Sequence, residues 1–188
     1  MQASEQFAAT VRSIKKLGID PNMGLFVRGV SVMSGINLST WERKVDVYKS
    51  LGWSEKEVIS AFTKGPFCML LSEEKIRRGM DFYVKKLQWM PSFLAANPVL
   101  LCLSLEKRVI PRCSVMNVLA SKGLVGLSTN PSLKTLMISE KNFLDKYVIK
   151  YQDQVPEVRQ AYNRNLGFVG RQSTVVQGSL SAVSSFAT

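Results

Sequence analysis

Lys15-Lys16-Leu17-Gly18-Ile19, KKLGI, closes a helical pattern that begins at Ala3, and the chain repeats it. KSLGW runs from Lys49 to Trp53, KKLQW from Lys85 to Trp89, and a weaker SKGL from Ser121 to Leu124. The glycine, or the glutamine standing in for it, falls at Gly18, Gly52, Gln88 and Gly123, at intervals of 34, 36 and 35 residues. Self-similarity at such a fixed period marks stacked helical units and argues against one central core.

Each unit reads as two helices. Ser54 with Glu57 three residues on is a capping-box pattern ahead of Val58, Ile59 and Phe62. That helix should stop at Lys64-Gly65-Pro66, because proline disfavours helical geometry in the residue before it. Ser72 then caps a second helix, whose Ile76, Met80, Tyr83, Val84 and Leu87 form one apolar stripe. Ser39-x-x-Glu42 opens the equivalent helix one unit earlier, and Ser104 opens one running toward Ala120 with a bend at Pro111. Pro66 to Ser72 aligns with Pro98 to Ser104 at an offset of 32 residues, and Glu74-Lys75 then matches Glu106-Lys107. The expected organisation is an incomplete first unit at 1–18, units at about 19–52, 53–88 and 89–123, and C-terminal helices over 132–166. The Ser-, Val- and Gly-rich segment 167–188 reads as a disordered tail. Because the first seam closes a unit whose opening helix is missing, the chain is expected to be part of a longer array or an unusually short one.

Composition narrows the chemistry. The chain has 188 residues, 46% of them hydrophobic and 21% charged, which suits a folded domain. Its 25 Lys and Arg against 14 Asp and Glu give a net charge of +11, which favours a polyanionic partner. There is no histidine, so the commonest general base and most catalytic metal sites are missing. Three cysteines without C-x-x-C spacing (Cys68, Cys102 and Cys113) read as reduced core residues, not as a disulfide framework or zinc site. Leu87 to Leu105 is uncharged for 19 residues, but Pro91 and Pro98 break it into two buried helix ends around a turn. No phosphate-binding glycine loop or paired-carboxylate pocket stands out, so no enzyme, cofactor or metal is expected, and no membrane insertion. The N-terminal MQASEQFAATVRS has no apolar h-region and is short for a transit peptide, so no targeting peptide is expected in this chain.

Leu51-Gly52-Trp53-Ser54-Glu55-Lys56-Glu57, Pro66, Leu71-Ser72-Glu73-Glu74-Lys75-Ile76 and Ser104 to Arg112, SLEKRVIPR, together resemble the plant mitochondrial transcription termination factor (mTERF) family. Ser39 to Val45, Phe143 to Val148 and Val155-Pro156-Glu157 extend the resemblance, which runs from about Phe26 to Leu166. It implies an all-α, right-handed-type helical-repeat solenoid, crescent-shaped, with two helices and a short 3-10 turn per unit of about 32–36 residues. It also implies a basic concave face lying along duplex DNA or structured RNA in mitochondria, or alternatively in chloroplasts. The activities implied are organellar transcription termination or initiation, intron splicing and ribosome assembly.

The candidate phosphate contacts are the cations that recur between units. Lys75, Arg77 and Arg78 fall outside the apolar stripe of the second helix, as do Lys85 and Lys86. Lys107, Arg108 and Arg112 follow in the next unit, with Lys107 in the place of Lys75. Arg43 and Lys44 are the counterparts one unit earlier. Charges recurring at one repeat position make a stripe along an array, which suits a phosphate backbone. Taken singly, each is what a solvated helix face carries. Trp41, Trp53 and Trp89 are expected in the core and not as base-stacking platforms.

The expected function is that of a monomeric, non-catalytic nucleic-acid-binding regulator of organellar transcription, such as a terminator. A period of 35 also fits pentatricopeptide-like RNA-binding repeats in organellar RNA processing. A tetratricopeptide-like protein-interaction scaffold is the alternative from a different class. It predicts binding with little salt dependence, whereas phosphate contacts predict a steep loss as salt rises.

Overall fold

The computed structural model describes residues 2–126 and 131–163. Among these residues every regular element is helical, the all-α helical-repeat class that the periodicity requires. Compactness divides the chain into two parts between Leu103 and Ser104, inside the unit expected at 89–123.

The first part holds α1 (Gln2–Lys16), α2 (Gly24–Gly35), α3 (Leu38–Ser50), α4 (Glu55–Lys64) and a 3-10 turn (Pro66–Leu70). Then come α5 (Glu73–Asp81), which continues as a π turn (Phe82–Lys86), and the short α6 (Pro91–Ala96) and α7 (Val99–Cys102). First helices pack in succession, α2 on α4 and α4 on α6, while the second helix α3 packs on α5. The apolar stripe lies inside: Ile76, Met80, Tyr83 and Leu87 are all buried. Burying a large apolar side chain in this way is worth about 1.5–3 kcal/mol.

Local signals set the ends. Ser54 Oγ accepts the Glu57 N–H at 3.3 Å while Glu57 Oε2 accepts the Ser54 N–H at 2.8 Å, a complete capping box. Ser72 and Ser104 each accept the N–H three residues on, at 3.2 Å. The expected cap at Ser39 is displaced. Asn37 comes first, and its Oδ1 accepts both the Thr40 N–H at 2.8 Å and the Ser39 hydroxyl at 2.9 Å. Asparagine caps as well as serine, so α3 starts earlier than the Ser39-x-x-Glu42 pattern suggests.

The seams share one backbone conformation. Gly18, Gly52, Gln88 and Gly123 have φ of +79°, +96°, +56° and +69°, and Gln88 is the only non-glycine with positive φ among the described residues. A left-handed residue stops the helix and turns the chain back, and glycine does this without the Cβ clash. Just before two seams, Tyr48 stacks on Trp53 (4.5 Å, 11°) and Tyr83 stacks on Trp89 (5.4 Å, 8°). Four residues lie between the partners of the first pair and five between those of the second. The π turn Phe82–Lys86 takes up the extra residue, so both stacks form.

The second part contains a π turn (Leu105–Val109), α8 (Ile110–Ser121), α9 (Leu133–Met137) and α10 (Glu140–Phe143), which continues as a further π turn (Leu144–Ile149). Residues 157–163 are again helical. Its core gathers Val115, Leu119, Phe143, Val148, Val155, Val158 and Tyr162. The bend expected at Pro111 takes the form of the first π turn. The N–H groups of Val109 and Ile110 reach back five residues, to Ser104 and Leu105, which widens the coil just ahead of a residue with no N–H to donate. The segment 167–188, read as a tail, lies outside the described residues.

Gly52→Ala should lower stability by about 1–2 kcal/mol, because alanine must adopt the left-handed conformation. Gly35→Ala, in helical backbone at the end of α2 with open space around its Cα, should cause no loss. Urea midpoints of the two variants against the parent chain check the contrast.

Candidate nucleic-acid interface

The cations expected to meet phosphate fall into two groups. In the first, the charged head points back into the protein. Lys44, 7% exposed, donates from Nζ to the carbonyl of Leu71, which closes the 3-10 turn. Its burial lowers the ammonium pKa, with Glu73 opposing. Lys75 Nζ donates at 3.0 Å to the carbonyl of Cys102, the last residue of α7. Arg108 donates from Nε to Leu136 at 3.0 Å and from Nη2 to Met137 and Ile138 at 3.1 and 2.6 Å, the end of α9. Arg112, 0% exposed, donates from Nη1 to the carbonyls of Thr135, Leu136 and Ile138 at 3.0, 3.0 and 2.8 Å. Its Nη2 pairs with Glu140 at 2.7 Å, and its guanidinium lies 4.6 Å from the Phe143 ring centroid.

These contacts have one cause. The last carbonyls of a helix have no donor in their own helix and carry the negative end of its dipole. The 3-10 turn, α7 and α9 span only four or five residues each, so such carbonyls are most of what they have. A cation on the preceding second helix satisfies each end, over sequence separations of 27, 27 and 28 residues. For Lys44, Lys75 and Arg108 the spacing therefore has an internal origin, whereas Lys107, which matches Lys75 in sequence, stays exposed. Lys44, Arg108 and Arg112 are withdrawn from the expected phosphate contacts.

Two tyrosines do the same work without charge. Tyr48 Oη donates to the Cys68 carbonyl at 2.8 Å and Tyr83 Oη to the Leu100 carbonyl at 3.0 Å. Their tryptophan partners are accordingly structural: Trp53 is buried and Trp89 half-buried, while Trp41 meets Phe62 edge to face at 5.1 Å. Burial also pushes the Cys68 and Cys113 thiols up to about 12, so they stay protonated and poor nucleophiles.

The second group remains in solvent. Arg77, Arg78 and Lys85 line a groove of about 450 Å³ between the end of α3 and α5, together with Leu51, Met80, Asp81 and Val84. Arg77 touches the Ser50 hydroxyl at 3.5 Å, Arg78 faces Glu74 at 3.9 Å, and Lys85 pairs with Asp81 at 2.5 Å. Arg43 pairs with Glu73 at 3.0 Å, both side chains well exposed, and Lys107 is exposed on its π turn. Exposed ion pairs of this kind are worth about 0–1 kcal/mol, so a phosphate can displace the carboxylate. Lys86 is exposed in the π turn after α5, and to these the structure adds Lys15, Lys16 and Lys49, all exposed in the last turns of α1 and α3. Their signal was in the seam motif itself, KK-L-G, where the lysines recur along with the glycine.

Among the described residues no group of three or more Cys, Asp or Glu could hold a metal ion, and no helix is long and apolar enough to cross a membrane. A family model described as mTERF matches residues 1–144. The chain is similar to the Arabidopsis thaliana protein "Transcription termination factor MTERF15, mitochondrial", with 29% identity over 111 residues. That match covers 58% of this chain and 24% of the relative, so the chain aligns with about a quarter of the relative's length. No solved structure gives a significant match.

Arg112→Ala should cost about 3 kcal/mol or more, since the Thr135 carbonyl and Glu140 lose this donor and the Leu136 and Ile138 carbonyls keep only their bonds from Arg108. Arg112→Lys should not restore it, because an ammonium cannot reproduce the guanidinium fork. Lys107→Ala should stay within about 0.5 kcal/mol of the parent. Thermal or urea denaturation separates the three. The buried thiols add a pH dependence. Their folded pKa is raised, so the stability they contribute is complete below about pH 9 and is lost as pH rises from there toward 12. The double variant Cys68→Ala, Cys113→Ala should show a shallower fall in denaturation midpoint over that window.

Proposed function

The chain belongs to the mTERF family, and from that premise we propose that it binds nucleic acid, as duplex DNA or structured RNA, and regulates organellar transcription without catalysing a reaction. The mitochondrion is the proposed compartment, in keeping with the name of the Arabidopsis relative. The observation that carries the reading is the set of cations left in solvent once the internal caps are subtracted. Arg77, Arg78 and Lys85 gather at one groove, and Lys49 and Lys86 lie at the ends of the helices that form it. Arg43 extends the set, Lys107 is an exposed cation of the second part, and Lys75, although it caps α7, is itself exposed and can exchange that hydrogen bond for a phosphate.

Contacts of this kind release counterions from the phosphate backbone and are largely indifferent to sequence. About five phosphate contacts would cost roughly 100- to 1,000-fold in affinity between about 50 and 200 mM salt. Titrating labelled duplex DNA and duplex RNA at those two concentrations tests the reading. The triple variant Arg77→Glu, Lys85→Glu, Lys86→Glu should weaken binding by at least about tenfold at low salt while its denaturation midpoint stays near that of the parent. Binding that ignores salt, or survives the triple reversal unchanged, refutes the proposal and favours a protein-interaction scaffold.

A further inference from the structure

The groove between α3 and α5 is not a plain cationic surface. Its cations, Arg77, Arg78 and Lys85, are exposed, whereas Leu51 and Val84 are half-buried and Met80 is 2% exposed. The section is therefore a charged rim over an apolar floor. The carboxylate on its wall, Asp81, pairs with Lys85 at 2.5 Å, an exposed pair weak enough for a phosphate to displace. The volume, about 450 Å³, falls in the range of pockets that take a small molecule, on the scale of one nucleotide.

A duplex makes poor use of such a site. It offers phosphates to the rim but keeps its base faces stacked inside, leaving the apolar floor wet. An amphipathic acidic helix could match both rim and floor, but it is about 10 Å across and docks over two turns or more. That is more than a recess lined by seven residues accepts. An unpaired nucleotide supplies an apolar π-face and a phosphate on either side at the right scale. Arg77 and Arg78 add planar guanidinium groups, which stack on bases as well as pair with phosphate.

We propose that this groove holds an unpaired base of single-stranded nucleic acid, its face on Leu51 and Val84 and its flanking phosphates on Arg77, Arg78 and Lys85. The inference rests on the nucleic-acid reading above and makes it more specific: the α3–α5 groove distinguishes an unpaired strand from a duplex.

The test compares three labelled probes of equal length and charge at one low salt concentration: a single strand, the same strand with abasic residues throughout, and an acidic peptide. A duplex is titrated alongside. The parent chain should bind the single strand at least about fivefold more tightly than the abasic strand, the range expected of base stacking. The floor variant Leu51→Ser, Val84→Ser should erase that difference and leave duplex affinity within about twofold. Equal binding of the intact and abasic strands overturns the inference with wild-type protein alone, whatever the variant does, and leaves the phosphate-binding reading standing. No binding to any nucleic acid sinks both. Preferential binding of the acidic peptide assigns the groove to a protein partner and overturns the inference.

Discussion

A helix of four or five residues cannot satisfy its own carbonyls, and the chain uses such a helix at Pro66–Leu70, Val99–Cys102 and Leu133–Met137. The second helix of one unit must therefore send a donor to the short helix of the next. Lys44, Lys75, Arg108 and Arg112 do so with charge, and Tyr48 and Tyr83 do so with a phenol. A hydrogen bond from a charged group is worth about 1.5–3 kcal/mol, against roughly 1 kcal/mol for a neutral one. The demand is greatest at α9, where carbonyls from Thr135 to Ile138 converge, and there the protein uses two guanidinium forks in place of one ammonium. Stacking order and helix length thus depend on a polar contact that apolar periodicity does not reveal.

That requirement changes how the net charge of +11 is to be read. Part of the excess serves the fold and never faces a partner. Several of the cations that remain sit in the last turns of second helices, where lysine is favoured for a reason of its own, since a cation stabilises the negative end of the helix dipole. Lys15, Lys16, Lys49, Lys85 and Lys86 hold that position while their ammonium groups stay in water. Placing binding cations there costs the fold nothing.

The fold was largely legible because its signals are local. The seam residues, the Ser54–Glu57 capping box, the stripe from Ile76 to Leu87 and the stop at Gly65-Pro66 each follow from a few neighbours in the chain. The site was legible only in part. A cation recurring near every 32 residues is produced equally by a phosphate path and by a row of internal caps, and spacing cannot separate them. Face can. Lys44 lies with Val47, Tyr48 and Leu51 at i+3, i+4 and i+7, and Arg112 lies between Val109, Val115 and Leu119 on the same side of its helix. A cation inside an apolar stripe has to find its partner within the protein. The π turn at Phe82–Lys86 was out of reach for another reason: it answers to one extra residue between Tyr83 and Trp89, a difference visible only once both stacks are known.

Gln88 shows where the two demands meet. Three seams spend a glycine on the left-handed turn, but the seam beside the groove holds a residue that should resist it, at a strain of about 1–2 kcal/mol. The glutamine offsets some of this by donating from Nε2 to the carbonyl of Lys85 at 2.7 Å. Lys85 sits on the groove, and its backbone belongs to the π turn that sets the Tyr83–Trp89 stack. A glycine would relax the turn and release that carbonyl, leaving the segment that carries Lys85 freer to move before binding. A fixed cation gives up less entropy to a ligand than a mobile one. At residue 88, local strain and the ordering of the groove therefore favour different side chains, and the side chain present is the one that holds the groove.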